Sequence, residues 1–259
     1  MPDKEIAVYT AIFGNYDDLK EPLHFQVKEE ADFFCFTNSL QLHSKTYQVV
    51  NKDPGYGNPR KNARYFKTAG DPLLEDYKYV VWCDGAIQII AKSLYDLIAT
   101  IENYDIGILK HPDRNCAYQE SKVCMIRGLD NPSEIYRQMK GYHDEGFPKD
   151  FGLLESSAFI RRTSKKTNLF FNLWWQEVHT KSIRDQLAFD YLRWKLKPNV
   201  YYFDGSFKTN LFFRSRGHKG KKNKSVPNDL LNKMADRTMK FYRALRIKYY
   251  VNKIDQLVS

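Results

Sequence analysis

Five short apolar runs recur along the first half of this chain: IAVYTAIF (6–13), ADFFCFTN (31–38), YQVVN (47–51), KYVVWCD (78–84) and DIGILKH (105–111). They are nearly continuous in apolar character rather than alternating, which predicts strands covered on both faces. SLYDLIATIENY (93–104) opens on a serine and repeats apolar residues at Leu94, Leu97, Ile98 and Ile101, the spacing of a capped helix. Strands alternating with helices predict an α/β fold built on a mainly parallel sheet, whose ligands sit at the carboxyl ends of the strands. Downstream, NPSEIYRQMKGY (131–142) reads as a helix and GLLESSAFIRR (152–162) as a strand. NLFFNLWWQEVHT and IRDQLAFDYLRWKL read as aromatic-rich helices, and VYYFDG (200–205) as a last strand. One or two basic helices follow, which divides the chain into a body (1–226) and a C-terminal extension (227–259).

The hydrophobic share of 42%, with 18 Tyr and 17 Phe, fits a packed core and excludes a disordered chain. No apolar run approaches the roughly 20 residues of a membrane-spanning helix, and MPDKEIAVYT lacks the layout of a signal peptide, so a cytosolic location is expected. Cys35, Cys83, Cys116 and Cys124 form no CxxC pair and have no histidine at zinc-site spacing, so they read as free buried thiols. The formal charge of +10 is concentrated at one end: residues 208–259 hold 14 Lys or Arg against three Asp. A basic stripe so confined attracts phosphates or anionic lipid there, while the body is nearly neutral.

Chemistry is suggested first by KYVVWCD, which carries Asp84 out of the core on a strand end with Gly85 next to it. A carboxylate held there can bind a divalent ion, and glycine admits a ligand close to the backbone; helix capping or a loop role is the plainer reading. In NPRKNARYFKTAG (58–70), Arg60, Arg64 and Lys67 fall on one helical face, either as a phosphate clamp or as a solvated surface. The exit of the first strand, with Thr10, Gly14, Asn15, Tyr16 and Asp17, suits a nucleotide base and ribose as well as it suits an ordinary turn. His111 and Arg114, with Glu120 nearby, make a polar cluster at another strand exit, suited to a sugar or phosphate. Glu155 interrupts the apolar run LLESSAFI, so it faces a cleft or is paired, with Arg161 or Arg184 as partners. Asp185 and Gln186 open a helix, where an acid caps amides and a neighbour can reach a ligand. Trp174 and Trp175 read as core before they read as a sugar platform. In RSRGHKGKKNK (214–224), His218 and Lys219 suit a basic lid over a diphosphate, with His218 in a metal shell, or else a linker.

Taken in order, AVYTAIFGNYDDLKEP, RKNARYFKTAGDPLLEDYKYVVWCDGAIQI, KHPDRNCAYQES and LLESSAFIRRTSKKTNLFFNLWWQEVHTKSIRDQLAFDYL resemble the motifs of a glycosyltransferase-like domain family. That family, formerly a domain of unknown function, occurs in bacterial polysaccharide loci and plant mucilage-related proteins. It is similar to the glycogenin and lipopolysaccharide galactosyltransferase group. The resemblance covers residues 6–205. It implies a GT-A-type, Rossmann-like fold, a UDP-sugar donor and Mn2+ or Mg2+. It places Asp84 as the last acid of a DxD-type metal motif, Arg60, Arg64 and Lys67 on the donor side, and Asp185 with Gln186 near the sugar. The chain departs from that motif at Trp82, where the other acid would stand. His218 lies outside the resemblance, and its ligand role follows only by analogy with a late histidine in such enzymes.

The expectation is a cytosolic hexosyltransferase that transfers sugar to a surface polysaccharide or lipid-linked glycan. Retention of configuration is implied by analogy, and Glu155 is the base if the reaction inverts. The extension (227–259), with Leu231, Ala235, Thr238, Tyr242, Leu245 and Tyr249 among seven basic residues, would lie on an anionic inner membrane, pack on the domain, or join two copies as a homo-oligomer. Two other classes stay open: nucleic-acid binding through the basic tail, and a catalytically silent sugar-nucleotide sensor.

Overall fold

The computed structural model describes residues 4–218 and 230–259, the side chains of 230–239 excepted. Among the described residues nine strands form: β1 (Ile6–Ile12), β2 (Asp32–Thr37), β3 (Gln48–Asn51), β4 (Tyr79–Cys83), β5 (Ile87–Ile89), β6 (Ile106–Lys110), β7 (Leu154–Arg162), β8 (Val200–Phe203) and β9 (Phe213–Ser215). The helices are α1 (Pro59–Thr68), α2 (Leu94–Ala99), α3 (Ala117–Ile126), α4 (Pro132–Asp144), α5 (Lys165–Thr180), α6 (Asp185–Leu196) and α7 (Leu230–Val258).

Seven strands make one sheet in the order β3-β2-β1-β4-β7-β6-β8, and β5 pairs with β9 in a separate antiparallel ribbon. Within the large sheet only β7 runs against its neighbours, so the mixed, mainly parallel architecture read from the sequence is the one that forms. Successive side chains of the central strands serve opposite cores, as the pleat dictates, whereas β3, at the sheet edge, has no buried residue and so is not covered on both faces as expected. Tyr9, Val80 and Trp82 enter the core under α1 and α3–α6. Val8, Val81 and Cys83 enter the one under α2. Burial on both faces is why these strands read as unbroken apolar runs.

Local chemistry sets the helix starts. Asn58 caps α1 through its side chain, accepting from Arg60 N at 2.9 Å and Lys61 N at 3.3 Å, with Pro59 at the first helical position. Ser93 caps α2 as expected, but that helix stops at Ala99, short of the 93–104 span. Helix α3 escapes sequence reading because its buried side includes Glu120 and Ser121 and no apolar stripe marks it. All four cysteines are free and buried, as read.

One irregularity positions the site. Along β6, Ile108 pairs with Phe159 but Leu109 pairs with Glu155, so Ser156, Ser157 and Ala158 bulge out of the ladder. The bulge lies beside the end of β4, where Asp84 N donates to Ser157 O at 2.7 Å.

Candidate functional site

Trp82 and Asp84 are two residues apart at the β4 exit, so their side chains leave on the same face of the sheet. Trp82 Nε1 donates to Asp84 Oδ1 at 2.9 Å. The residue standing where the motif would have an acid therefore orients the acid that remains. From α1, Lys67 Nζ reaches the same oxygen at 3.3 Å and Arg64 Nη1 reaches it at 3.5 Å. Lys67 also lies 2.6 Å from Asp185 Oδ2, and Arg64 Nε lies 2.9 Å from Asp185 Oδ1, close in charge but not aligned as a hydrogen bond. Ser156, aimed inward by the bulge, completes the group with 3.0 Å to Asp185 Oδ2 and 3.2 Å to Lys67 Nζ. Two cations thus offset one buried acid, Asp185, and one partly exposed acid, Asp84. Asp185 is desolvated, yet Arg64, Lys67 and Arg184 hold its carboxyl well below the usual carboxylate range.

Corrections to the expected roles follow from this packing. Asp185 does not cap α6, whose preceding residue is Arg184, and its carboxylate lies under the site rather than open to a ligand. Gln186 is pinned to the backbone, donating from Nε2 to Leu154 O at 2.9 Å. Arg60 leaves the cation stripe: its Nη1 donates to Leu129 O at 2.9 Å, and it lines a different cleft with Tyr16, Lys61 and Lys181. Thr10 is buried inside β1, not at the strand exit. Trp174 is core, as read, and its Nε1 anchors the start of α6 by donating to Asp185 O at 2.8 Å. Lys219 lies outside the described residues.

Above the buried group opens a cleft of about 500 Å³ lined by Asp84, Pro112, Asp113, Glu155, Ser157, Phe207, Lys208 and His218. Alternation along β7 turns Glu155 and Ser157 toward it and Ser156 away. Among the described residues no hydrogen bond or ion pair engages the Glu155 carboxyl, so of the two readings, cleft or pairing with Arg161 or Arg184, it is the cleft that forms. Burial, reinforced by the nearby Asp84 charge, pushes its pKa up to about 7. His111, Arg114 and Glu120 come together as expected: Arg114 Nε donates to Glu120 Oε2 at 2.7 Å and Arg114 Nη2 lies 2.8 Å from His111 Nε2. Burial and the Arg114 charge hold His111 below its ordinary pKa.

His218 lines the same cleft, and its Nδ1 lies 3.0 Å from both carboxylate oxygens of Asp17. Its ring also meets Tyr16 edge-on at 5.2 Å. Gly14, at φ +63°, makes the sharp exit from β1 that brings these residues round; a Cβ there would sit 2.9 Å from Pro59.

The residues can be tested against a divalent cation. Asp84 lines the cleft, and its Oδ2 takes none of the donors that crowd Oδ1. With Nδ1–H directed at Asp17, His218 would keep an Nε2 lone pair free, the carboxylate–histidine arrangement common behind metal ligands. Among the described residues no three His, Cys, Asp or Glu side chains gather as a preformed metal site. Asp84 and His218 line the same cleft, and a carboxylate oxygen and an imidazole nitrogen are donor types that a divalent ion accepts.

An α/β domain with carboxyls of Asp84 and Glu155 at its strand ends and two cations reaching in from α1 is the class this geometry defines. The chain belongs to the TOD1/MUCI70 glycosyltransferase-like domain family, whose pattern matches residues 1–219. Two relatives from Arabidopsis thaliana are an alkaline ceramidase, TOD1, 23% identical over 228 residues, and a probable hexosyltransferase, MUCI70, 22% identical over 221. The matches take in 75% and 74% of this chain but only 49% and 37% of those proteins. Among solved structures, mouse xyloside xylosyltransferase 1 in its apo form overlaps at a TM-score of 0.42 and 10% identity, over 78% of this chain and 85% of that one. Core-mannan synthase A of Aspergillus fumigatus, in a Mn/GDP form, overlaps at 0.38 and 9%, over 73% and 69%.

Proposed function

We propose that the chain is a glycosyltransferase that moves a hexose from a nucleotide-sugar donor, a UDP-sugar in keeping with the resemblance, to a hydroxyl of a glycan acceptor. Family membership and the relative named a probable hexosyltransferase support the reaction class. The observation that carries the mechanism is Glu155, a carboxyl in the cleft without a hydrogen-bond partner among the described residues, whose pKa of about 7 suits proton transfer near neutrality.

Above that pKa the Glu155 carboxylate takes the proton of the acceptor hydroxyl. The acceptor oxygen bonds to the anomeric carbon as the bond from that carbon to the diphosphate breaks, and the diphosphate leaves with both electrons. Asp84 and His218 would hold the divalent ion, which when bound neutralises charge developing on the leaving group. Arg64 and Lys67 fix Asp84 from below, so its free oxygen faces the cleft without further ordering. Asp185 and Gln186 are engaged beneath the cleft; with Glu155 assigned as the acid–base group for its raised pKa and its place beside Asp84, the reading is a single displacement with inversion in place of the retention implied by analogy.

A screen of nucleotide-sugars with Mn2+, comparing wild type, Asp84→Ala and Glu155→Gln, tests the reading. Donor turnover by the wild type, loss in both variants and an inverted product by NMR are expected. Turnover of ceramide instead of any nucleotide-sugar, or wild-type rates in Asp84→Ala, would overturn it.

A further inference from the structure

From Lys240 on, helix α7 has two apolar faces, and among the described residues one of them packs against the domain while the other is exposed. Along its last turns Ile247, Tyr250, Val251 and Ile254 pack against the domain, with Ile254 fully buried and Tyr250 meeting Tyr136 at 5.5 Å. Polar contacts fasten the same side: Lys122 Nζ lies 2.6 Å from Asp255 Oδ1, and Arg246 Nη2 donates to Asn131 Oδ1 at 3.0 Å. Phe241, Tyr242, Leu245 and Tyr249 are 62%, 63%, 48% and 56% exposed. At about 100° per residue these four fall within an arc of roughly 100°, directly opposite the docked face. Two opposed apolar arcs cancel, which is why the whole helix shows almost no net amphipathic direction.

We propose that this outer face binds the surface of an anionic lipid bilayer. Its composition is that of an interfacial helix: two tyrosines and a phenylalanine with an amphipathic or apolar body, one leucine, and cations at the margins. Lys248 flanks the arc on one side and Lys253 on the other, where its Nζ lies 5.8 Å from the Tyr249 ring centroid. Arg246 is turned to the domain, so Lys248 and Lys253 are the cations that border this arc, and no acid stands between Lys240 and Lys253. That charge selects the partner. A second copy of this chain, docked through the same face, would bring like-charged margins together, whereas anionic headgroups neutralise them. Leu245 adds apolar area that a nucleic-acid backbone has no use for and a headgroup boundary covers. The docked face holds α7 against α3 and α4, so the domain itself is brought to the bilayer. The proposal is independent of the reading of the cleft.

Flotation of the full chain with phosphatidylcholine vesicles, with and without phosphatidylglycerol, is the test. The wild type should float with the anionic vesicles at least about tenfold more than with the neutral ones, and high salt should reverse most of this. Leu245→Ser with Tyr249→Ser should cut binding about tenfold, as should Lys248→Glu with Lys253→Glu, while circular dichroism and thermal unfolding stay as in the wild type. Absence of flotation, equal flotation with both vesicles, or full binding by either double variant overturns the proposal. So does a concentration-dependent dimer in light scattering, or salt-sensitive duplex binding, that disappears in the Leu245→Ser, Tyr249→Ser chain while flotation persists.

Discussion

Lys67 Nζ lies 2.6 Å from Asp185 Oδ2, and neither side chain is more than 2% exposed. A buried pair of this kind adds little over an apolar pair, but removing one partner strands the other in the interior. Because Arg64 and Ser156 still face Asp185, Lys67→Met should cost less in urea unfolding than the about 3–5 kcal/mol of a fully stranded charge, and Lys67→Met with Asp185→Asn should recover part of that loss. The pH dependence has a fixed sign. Because the folded pKa of Asp185 is depressed, its contribution is complete above the ordinary carboxylate pKa of about 4 and fades as pH falls below it. Asp185→Asn should flatten the acid limb of the stability curve; an unchanged limb would remove Asp185 as its source.

Glu155 titrates the opposite way. Its folded pKa is raised from 4.5 to about 7, so the native state binds the proton more tightly than the unfolded chain does. Stability from this group is greatest below pH 4.5 and declines as pH rises to about 7, after which the cost is constant. Glu155→Gln should stabilise the protein at pH 8 by about 2 kcal/mol and leave it nearly unchanged at pH 4, read by thermal unfolding at the two values. Turnover by the wild type should rise with one-proton slope through about pH 7, and Glu155→Gln should lower it at least 100-fold.

The sheet was legible because double-sided burial writes itself as unbroken apolar runs, and because strand-end acids such as Asp84 break those runs abruptly. Glu155 could be placed in a cleft for the same reason: a carboxyl inside LLESSAFI has few other places to go. Long-range pairing was not legible. Nothing local says that Lys67 turns inward to Asp185 while Arg60, seven residues earlier on the same helix, turns away to Leu129 O. Ser156 was missed because its role depends on a bulge, and a bulge is set by the partner strand. Period-two alternation through Leu154–Ala158 was the available signal for it. Trp82 looked like a missing ligand because a motif registers residue type and not the hydrogen bond its indole makes.

Gly85 offers a test of the Asp17–His218 contact. A Cβ at this position would stand 3.0 Å from Asp17 Cβ and 3.2 Å from Asp17 Oδ2, so Gly85→Ala must displace the Asp17 side chain. Loss of an outer-shell carboxylate weakens a histidine's metal affinity by about 10–100-fold. Gly85→Ala should therefore lower Mn2+ affinity about tenfold in the presence of a nucleoside diphosphate, measured by paramagnetic relaxation, with little change in unfolding midpoint. Affinity equal to that of the wild type would detach Asp17 from the ion.

Both backbone groups of Leu154, the residue before Glu155, are held by α6: its N–H donates to Asp190 Oδ2 at 2.9 Å and its C=O accepts from Gln186 Nε2 at 2.9 Å. Asp190 is itself fully buried and steadied by Arg193 Nε at 2.8 Å. This clamp fixes the height of Glu155 over the cleft without touching it, so Asp190 and Gln186 are positioning residues. Gln186→Met keeps the volume but leaves the Leu154 carbonyl unpaired, a loss of about 1–3 kcal/mol. If the clamp serves catalysis, kcat should fall about tenfold or more while the donor KM changes little, since a misplaced base costs the transition state more than the bound donor. Hydrogen exchange at the Leu154 amide supplies the structural check: Asp190→Ala should speed it, and Gln186→Met should not, because that variant leaves the N–H bond to Asp190 in place. A loss of stability with kcat intact would reduce the clamp to ordinary packing.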